Sequence, residues 1–506
     1  MEGSYQAYPV DIENPHTSLE TSMKRELKSL CGLSSSQCIY KVPKRLRCVN
    51  EKAYTPQIVS IGPLHHGKEA LKDMEEEKRR YLQCFQHRTT VSLLEYIEKI
   101  RAKEEQLRSC YPETNKFNSD QFVRIILVDA AFIIELMLRS WEGRTKFRTL
   151  VDISPDMQLL ENQLPFFILE DLFDPNKITV SSKREKLSMI DLSYKFLTNI
   201  IGLEETKESW RRISSSSRKV KHFLDFIRTL HLPDESDQSN EGSSTTPDQS
   251  NEGPSTTPNQ SNEGPSTTPD QSNEGSNEGP STTPDQSNEG PSTTPDQSNE
   301  GQSTPDQSNE GPSTTPDQSN EGPITTPCIT KLHQAGVKFK LMRSSRNLFD
   351  IKFKDGILEI PKLKIDDHTE LTLRNLIAFE QCHCVKHYIT DYVSLIDNLV
   401  NTEKDVEFLK KDEIVEHILG DDNDVCTLIN SLGRGVVLDD ESFYFADLYK
   451  DLNSYCRKPW NEWKANLRQH YFNTPWSTIS VIAAVFLLTL TCIQAVCSII
   501  SVMHSN

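Results

Sequence analysis

Ile479 to Val502 reads ISVIAAVFLLTLTCIQAVCSIISV, 24 residues without a charge. As a helix rising ~1.5 Å per residue, it is long enough for a hydrocarbon core of ~30 Å. Thr474 and Pro475 supply an N-cap and a proline at the first helical position, where the missing N–H costs nothing. Tyr471, Phe472 and Trp476 stand where an aromatic interfacial belt belongs. The stretch therefore predicts a single transmembrane anchor over 476–502, with the lipid bilayer as partner. Arg457, Lys458, Lys464 and Arg468 precede it and only Met503 to Asn506 follow. The positive-inside rule then puts the N-terminal part on the cytoplasmic side of a plasma or endomembrane, in a tail-anchored topology. Ser480, Ala484, Leu487, Thr491, Gln494, Ser498 and Ser501 recur at alternating spacings of four and three. That stripe of small and polar residues predicts association of the anchor with itself or with another membrane protein.

Phe122 to Leu138 is almost as apolar, but Arg124, Asp129 and Glu135 interrupt it. Those charges predict a buried central helix, with the acids paired to Arg124, Arg139 or a more distant partner. The formal charge of −18 is local. Asp234 to Pro327 carries 18 of the 74 acidic residues and none of the 56 basic ones, so the rest is balanced. Neither part is basic enough for nucleic acid. The twelve cysteines lack paired spacings, and the one glycosylation triplet, Asn259-Gln260-Ser261, lies in the acidic segment. Both fit a reduced, cytosol-facing compartment.

Outward from these stretches the organisation reads as follows. Residues 1–38 are a flexible tail with a short helix around Leu19 to Leu30. A helical domain begins at residue 39 and its first half closes at 233. Within it, Tyr54 to Pro63 holds two prolines and a glycine and predicts an extended loop docked on a core. One charged helix follows, Met74 to Lys103 at most, with Met74, Tyr81 and Phe85 on one face. Pro165 is expected to end one short helix and open the next, and helices are expected at Leu187 to Ile201 and Val220 to Leu230. Residues 234–327 are an 11-residue repeat, Asp-Gln-Ser-Asn-Glu-Gly-Pro-Ser-Thr-Thr-Pro, with no apolar face to stack. They read as a disordered linker. The second half, 328–475, opens with a hairpin: alternating Phe349 to Phe353, an Asp355-Gly356 type I′ turn, and Ile357 to Ile360. Asp367 to Glu370 reads as a capping box for a helix through His383. Helices are expected near Ile389 to Val400, Val406 to Leu419, Val425 to Leu432 and Phe443 to Tyr455, then a juxtamembrane helix over Trp460 to Phe472. The fold class is mainly α: a discontinuous helical domain with one small β-hairpin, a disordered insert and a C-terminal transmembrane helix.

Several of these pieces recur together in a known family. Ile39-Tyr40-x-Val42-Pro43 precedes Pro56-x-x-Val59-Ser60-Ile61-Gly62-Pro63-Leu64-His65-His66-Gly67 and Met74-Glu75 with Lys78 and Arg80-Tyr81-Leu82. Leu159-Leu160-Glu161-Asn162-Gln163-Leu164-Pro165-Phe166-Phe167 forms the middle block. Gly336 to Phe339, Leu358 to Pro361, Arg374 to Gln381 and Asn473 to Trp476 follow. On these motifs the chain resembles the plant family of domain-of-unknown-function number 247, from Ile39 to the anchor. The resemblance implies a plant protein with one discontinuous helical domain and a C-terminal single-pass helix, and little chemistry, because the family has no established catalytic residues. Some relatives look like recognition components of grass self-incompatibility, which implies a signalling or interaction role. Ala130-Ala131 stands where relatives tend to carry a glycine before Phe132, and the repeats enlarge a connection across which the two halves are expected to form one domain.

The chemistry-bearing residues point the same way. His65 and His66 are adjacent, so on a regular backbone they diverge and make a poor ligand pair. Cys382, His383, Cys384 and His387 cannot aim four ligands at one point from a single helix. Glu161, Glu170 and Asp171 read as caps beside a proline break. No Gly-x-Ser-x-Gly elbow, P-loop, His-Glu-x-x-His or dinucleotide fingerprint occurs. The expectation is a non-enzymatic interaction or recognition module with no cofactor, no metal and no nucleic-acid partner. The alternative is a membrane-bound hydrolase with a site near His65, His66 and Glu161.

Overall fold

The structure is a computed structural model. It describes residues 19–24, 36–114, 116–180, 187–201, 207–215, 219–233, 325–343, 345, 347–439, 442–459, 461, 463 and 475–504. The expected disordered insert (except 325–327), most of the expected N-terminal tail and nearly all of the expected helix over 460–472 lie outside these residues.

The charged stretch after residue 70 forms two helices, α1 (Lys72–Arg88) and α2 (Leu93–Ala102), instead of one. Thr89-Thr90-Val91 is a β-branched run, and Thr89 turns extended to pair with Ile178. The Ser92 hydroxyl then accepts the Glu95 N–H at 3.2 Å and caps α2. α3 (Glu104–Ser109) leads to the long α4 (Ser119–Trp141), opened by a reciprocal capping box between Asn118 and Gln121. α4 buries residues on every side, Asp129 and Glu135 included, because α1, α2, α6 (Phe166–Leu172) and α7 (Met189–Ile201) pack around it. α5 (Phe147–Met157) precedes α6. It ends at Met157, so Pro165 does not terminate a helix. Residues 158–164 form a tight loop, and Pro165 serves only as the N-cap of α6. α8 (Lys207–Ser215) was not anticipated, and α9 (Phe223–His231) begins three residues later than expected.

In the second half α10 (Ile329–Ala335) ends at Gly336, whose φ of 98° closes the helix in the left-handed conformation. The hairpin is present: β2 (Lys352–Lys354) pairs antiparallel with β3 (Ile357–Ile360) across Asp355 and Gly356, both at positive φ. Side-chain crowding reinforces the choice of glycine, because a Cβ at Gly356 would stand 2.8 Å from the Tyr455 hydroxyl. Two further pairings extend it. β1 (Lys338–Leu341) lies parallel to β3, and β4 (Leu363–Ile365) lies parallel to β5 (Val415–His417).

β5 replaces the end of the expected Val406 to Leu419 helix. α13 (Glu403–Lys411) stops short, after α11 (Thr369–His383) and α12 (Tyr388–Leu399), because Ile414 and Val415 are drawn into the core. α11 is opened by Asp366, whose carboxylate accepts from the His368 N–H and the Thr369 hydroxyl. The expected box of Asp367 and Glu370 does not form. α14 (Asp422–Leu432) and α15 (Ala446–Cys456) complete the domain. α16 (Pro475–His504) contains one stretch, Ile482–Ser501, that is long and apolar enough to cross a membrane, with a mean hydropathy of 2.3. None of that stretch is buried.

Candidate functional site: a polar hub under the 54–67 loop

The segment from Tyr54 to Gly67 has no regular secondary structure beyond its first turn, so its backbone groups need partners from elsewhere. Side chains supply them. Asp156, on the last turn of α5, accepts the N–H groups of Gln57, Ile58 and Val59 at 2.9, 2.6 and 2.8 Å. Asn162 accepts from the Ile61 N–H at 2.8 Å and donates to the Val59 and Asp156 carbonyls. Asp129 of α4 accepts the Gly62 N–H at 2.8 Å. Gly62 has φ 71°, and a Cβ there would meet the Gln163 carbonyl oxygen at 2.7 Å, so the close approach requires glycine.

Lys78 completes the hub from α1. It is fully buried and its ammonium donates to the Ser60 carbonyl at 2.7 Å and to Asp129 at 2.6 Å, with Glu75 also at 2.6 Å. Burial pulls the Lys78 ammonium down, but Asp129 and Glu75 together hold it above the ordinary lysine value. Burial pushes the Asp129 carboxyl up to about 6, opposed by Lys78 and the Gly62 N–H.

Glu161 forms the other side of the hub. One oxygen accepts from the Val42 N–H and from Arg47, and the other lies 3.2 Å from His65 Nε2. Burial alone would raise this carboxyl, but His65, the Val42 N–H and Arg47 bring it below the usual value. His65 is only 4% exposed, and its Nδ1 has no hydrogen-bond partner among the described residues. His66 turns away, 3.9 Å from Glu75 with its ring edge-on to Phe117. The structure thus brings His65 and Glu161 together and separates His66 from both. Gln163, next along, donates to the Met157 and Leu159 carbonyls and accepts the Leu224 N–H.

The remaining candidates disperse. His383 Nδ1 meets the Tyr40 hydroxyl at 2.9 Å while its ring stacks on Phe379, and His387 Nε2 meets the Cys384 carbonyl at 3.0 Å. Among the described residues, no group of three or more His, Cys, Asp or Glu could hold a metal ion. Asp171 pairs with Lys103, and burial raises the neighbouring Glu170 carboxyl. Glu135 bonds to Arg139, as one of the expected options, and also to Arg88 of α1. Arg88 bridges on to Glu142 beside a polar cleft of about 560 Å³. Of the stripe residues, Thr491 and Ser498 turn their hydroxyls onto the Leu487 and Gln494 carbonyls of their own helix.

Lys78 figures in the sequence only as a motif residue, without a buried role, and Arg88 is not singled out there. Lys78 carried a signal, because it stands four residues after Met74 and three before Tyr81, on the face that the apolar spacing assigns to the core. A lysine there needs a buried acid.

A second hub lies between the halves. Glu380 of α11, fully buried, accepts from Arg228 of α9 at 2.8 Å, from the Ile389 and Thr390 N–H groups, and from the Thr390 hydroxyl. Asn375 accepts the Leu160 N–H at 2.9 Å and donates to the Ala53 carbonyl at 2.7 Å. The quoted motifs therefore meet through bonds to backbone. Such an arrangement holds a loop and joins two halves, with Asp129, Asp156, Glu161 and Lys78 committed to partners and His65 Nδ1 left over among the described residues.

Comparison with known proteins gives one family. A model of that family, described as a plant protein of unknown function, DUF247, matches residues 39–490. The UPF0481 protein At3g47200 of Arabidopsis thaliana is 27% identical over 489 residues, 93% of this chain and 88% of its own. The putative UPF0481 protein At3g02645 of the same plant is 25% identical over 477 residues, 90% of this chain and 89% of its own. No solved structure matches the chain.

Proposed function

The chain belongs to the DUF247 family of plant proteins of unknown function, and from that premise we propose that it is a membrane-tethered, non-enzymatic interaction module. The observation that carries the tether is α16. Its apolar side chains are uncovered along Ile482–Ser501, and the hydroxyls of Thr489, Thr491 and Ser498 are spent on carbonyls of their own helix. A bare apolar helix in water is costly, whereas one with its polar groups internally bonded suits hydrocarbon. The basic residues ahead of it favour a domain on the cytoplasmic side. Removal of residues 475–506 should move the protein from the alkali-resistant membrane pellet to the soluble fraction. A truncated chain that still pellets with stripped membranes would sink the tether. Protease digestion of an N-terminal epitope on sealed vesicles, with a C-terminal epitope protected, is the expected sign of the orientation.

Non-enzymatic action is supported by the hub, where Asp129, Asp156, Glu161, Asn162 and Gln163 all accept backbone N–H groups. The hydrolase reading draws on one contact, His65 to Glu161 at 3.2 Å. Ester hydrolysis by the purified chain that vanished in His65→Ala would favour it.

The anchor itself is the proposed first partner surface, through Ser480, Ala484, Thr491, Gln494 and Ser498. An amide in hydrocarbon gains most from a partner helix. Gln494→Leu should at least halve the yield of crosslinked anchor dimers in membranes, and an unchanged yield would remove this surface.

A further inference from the structure

Cys38 and Cys110 come from distant parts of the chain and meet in the core, 4% and 3% exposed. The Cys38 and Ile39 N–H groups both donate to the Cys110 carbonyl, at 3.3 and 3.0 Å. The Cys110 thiol donates to the Gln106 carbonyl at 3.3 Å, and each thiol perturbs the ionisation of the other. Direct amide-to-carbonyl bonding between two residues suits the roughly 4.4–6.8 Å Cα separation that a disulfide spans. Cys38 belongs to a strap, residues 36–42, fastened by His222 Nε2 on the Cys38 carbonyl, Tyr40 on His383, the Val42 N–H on Glu161, a Lys41–Glu113 ion pair and the burial of Ile39 and Val42.

We infer that Cys38 and Cys110 are a paired modification site, a dithiol that a peroxide converts to a disulfide locking the strap to the end of α3. The two thiols are unequal. The neighbouring Cys38 and the charge of Lys221 lower the Cys110 thiol, while Cys110 and burial raise Cys38. Cys110 is therefore the nucleophile. Its thiolate attacks one peroxide oxygen, the O–O bond breaks, and hydroxide leaves Cys110 as a sulfenic acid. The Cys38 sulfur then displaces the sulfenic oxygen, forming the S–S bond. The thiol proton leaves with that oxygen as water, so two thiols are oxidised and one peroxide is reduced to two waters. The inference goes beyond the membrane-tether proposal and is independent of it.

The test uses the full chain in detergent micelles, treated with hydrogen peroxide, unfolded, alkylated, digested and mapped by mass spectrometry. The expected result is a Cys38–Cys110 cross-linked peptide two hydrogens lighter than its parts, reversed by a reducing agent. In Cys38→Ser, Cys110 should instead be trapped by a sulfenic-acid probe. The bond closes a loop of roughly 70 residues, so the oxidised wild-type chain should melt several degrees higher than the reduced one. Full alkylation of both cysteines after peroxide treatment of the folded wild-type chain would overturn the inference. So would cross-linking of either cysteine to a third one.

Discussion

Lys78→Ala is expected to destabilise the folded chain by about 3–5 kcal/mol, the usual cost of breaking a buried ion pair from one side. Lys78 is fully buried and Asp129 nearly so, and the variant leaves that carboxylate with only the Gly62 N–H. The Ser60 carbonyl loses its donor as well. Lys78→Met separates charge from packing, because it fills the space of the lysine stem. If charge dominates, Met should cost nearly as much as Ala, and adding Asp129→Asn should recover part of the loss. The pH dependence has a definite sign. The folded Asp129 carboxyl lies at about 6, above its ordinary value of 3.8. A raised folded value favours the folded state at low pH, and that contribution is lost as pH climbs through 6. Without Lys78 the folded value moves higher still. The defect of Lys78→Met should therefore shrink on acidification towards pH 5. Denaturant midpoints of the full chain in micelles at pH 5 and 8 check this, and a defect larger at pH 5 would refute it.

Glu380→Ala should have an effect of the same size, roughly 3–5 kcal/mol, for two reasons that add. Arg228, with its side chain 6% exposed, loses its carboxylate, and the Ile389 and Thr390 N–H groups lose their acceptor. Against a typical domain stability of about 5–15 kcal/mol, the loss empties much of the folded population. Glu380→Gln keeps an acceptor and should cost less. Arg228 precedes residues 234–327 and Glu380 follows them, so the effect is also one of association. After protease cleavage between 234 and 324, the two fragments of the wild-type chain should copurify. Those of Glu380→Ala should separate at lower denaturant. Equal midpoints for both would show that other contacts, such as Asn375 with Leu160 and Ala53 and His222 against Phe379, join the halves without the ion pair.

The candidate site was legible in part. Its composition was readable: Glu161, Asn162 and Gln163 beside a proline break, and a Pro-Gly loop from Tyr54 to Pro63 that needed docking. Which acid takes which N–H was not, because Asp156 lies about a hundred residues from the amides it holds and nothing local marks it. It accepts three successive amides of that loop. The break at Thr89 was signalled locally by three β-branched residues and a capping serine, and the apolar periodicity across it concealed the signal. The stop at Lys411 had no such mark. Ile414 and Val415 leave the helix because β4 offers a partner, and β4 lies about fifty residues earlier in the chain.

Features set by neighbours along the chain were determined by the sequence alone. An uncharged run gave α16, all-round apolarity gave α4, and Asp355-Gly356 gave the hairpin, each through local sterics or a local excess of hydrophobic surface. Tertiary structure alone decided the partners of the buried charges and the parallel pairings of β1 with β3 and β4 with β5. The reason is physical. A buried charge is tolerated only where another segment supplies its counter-charge, and a strand only where another supplies its hydrogen bonds. Neither partner is written in the residues that need it.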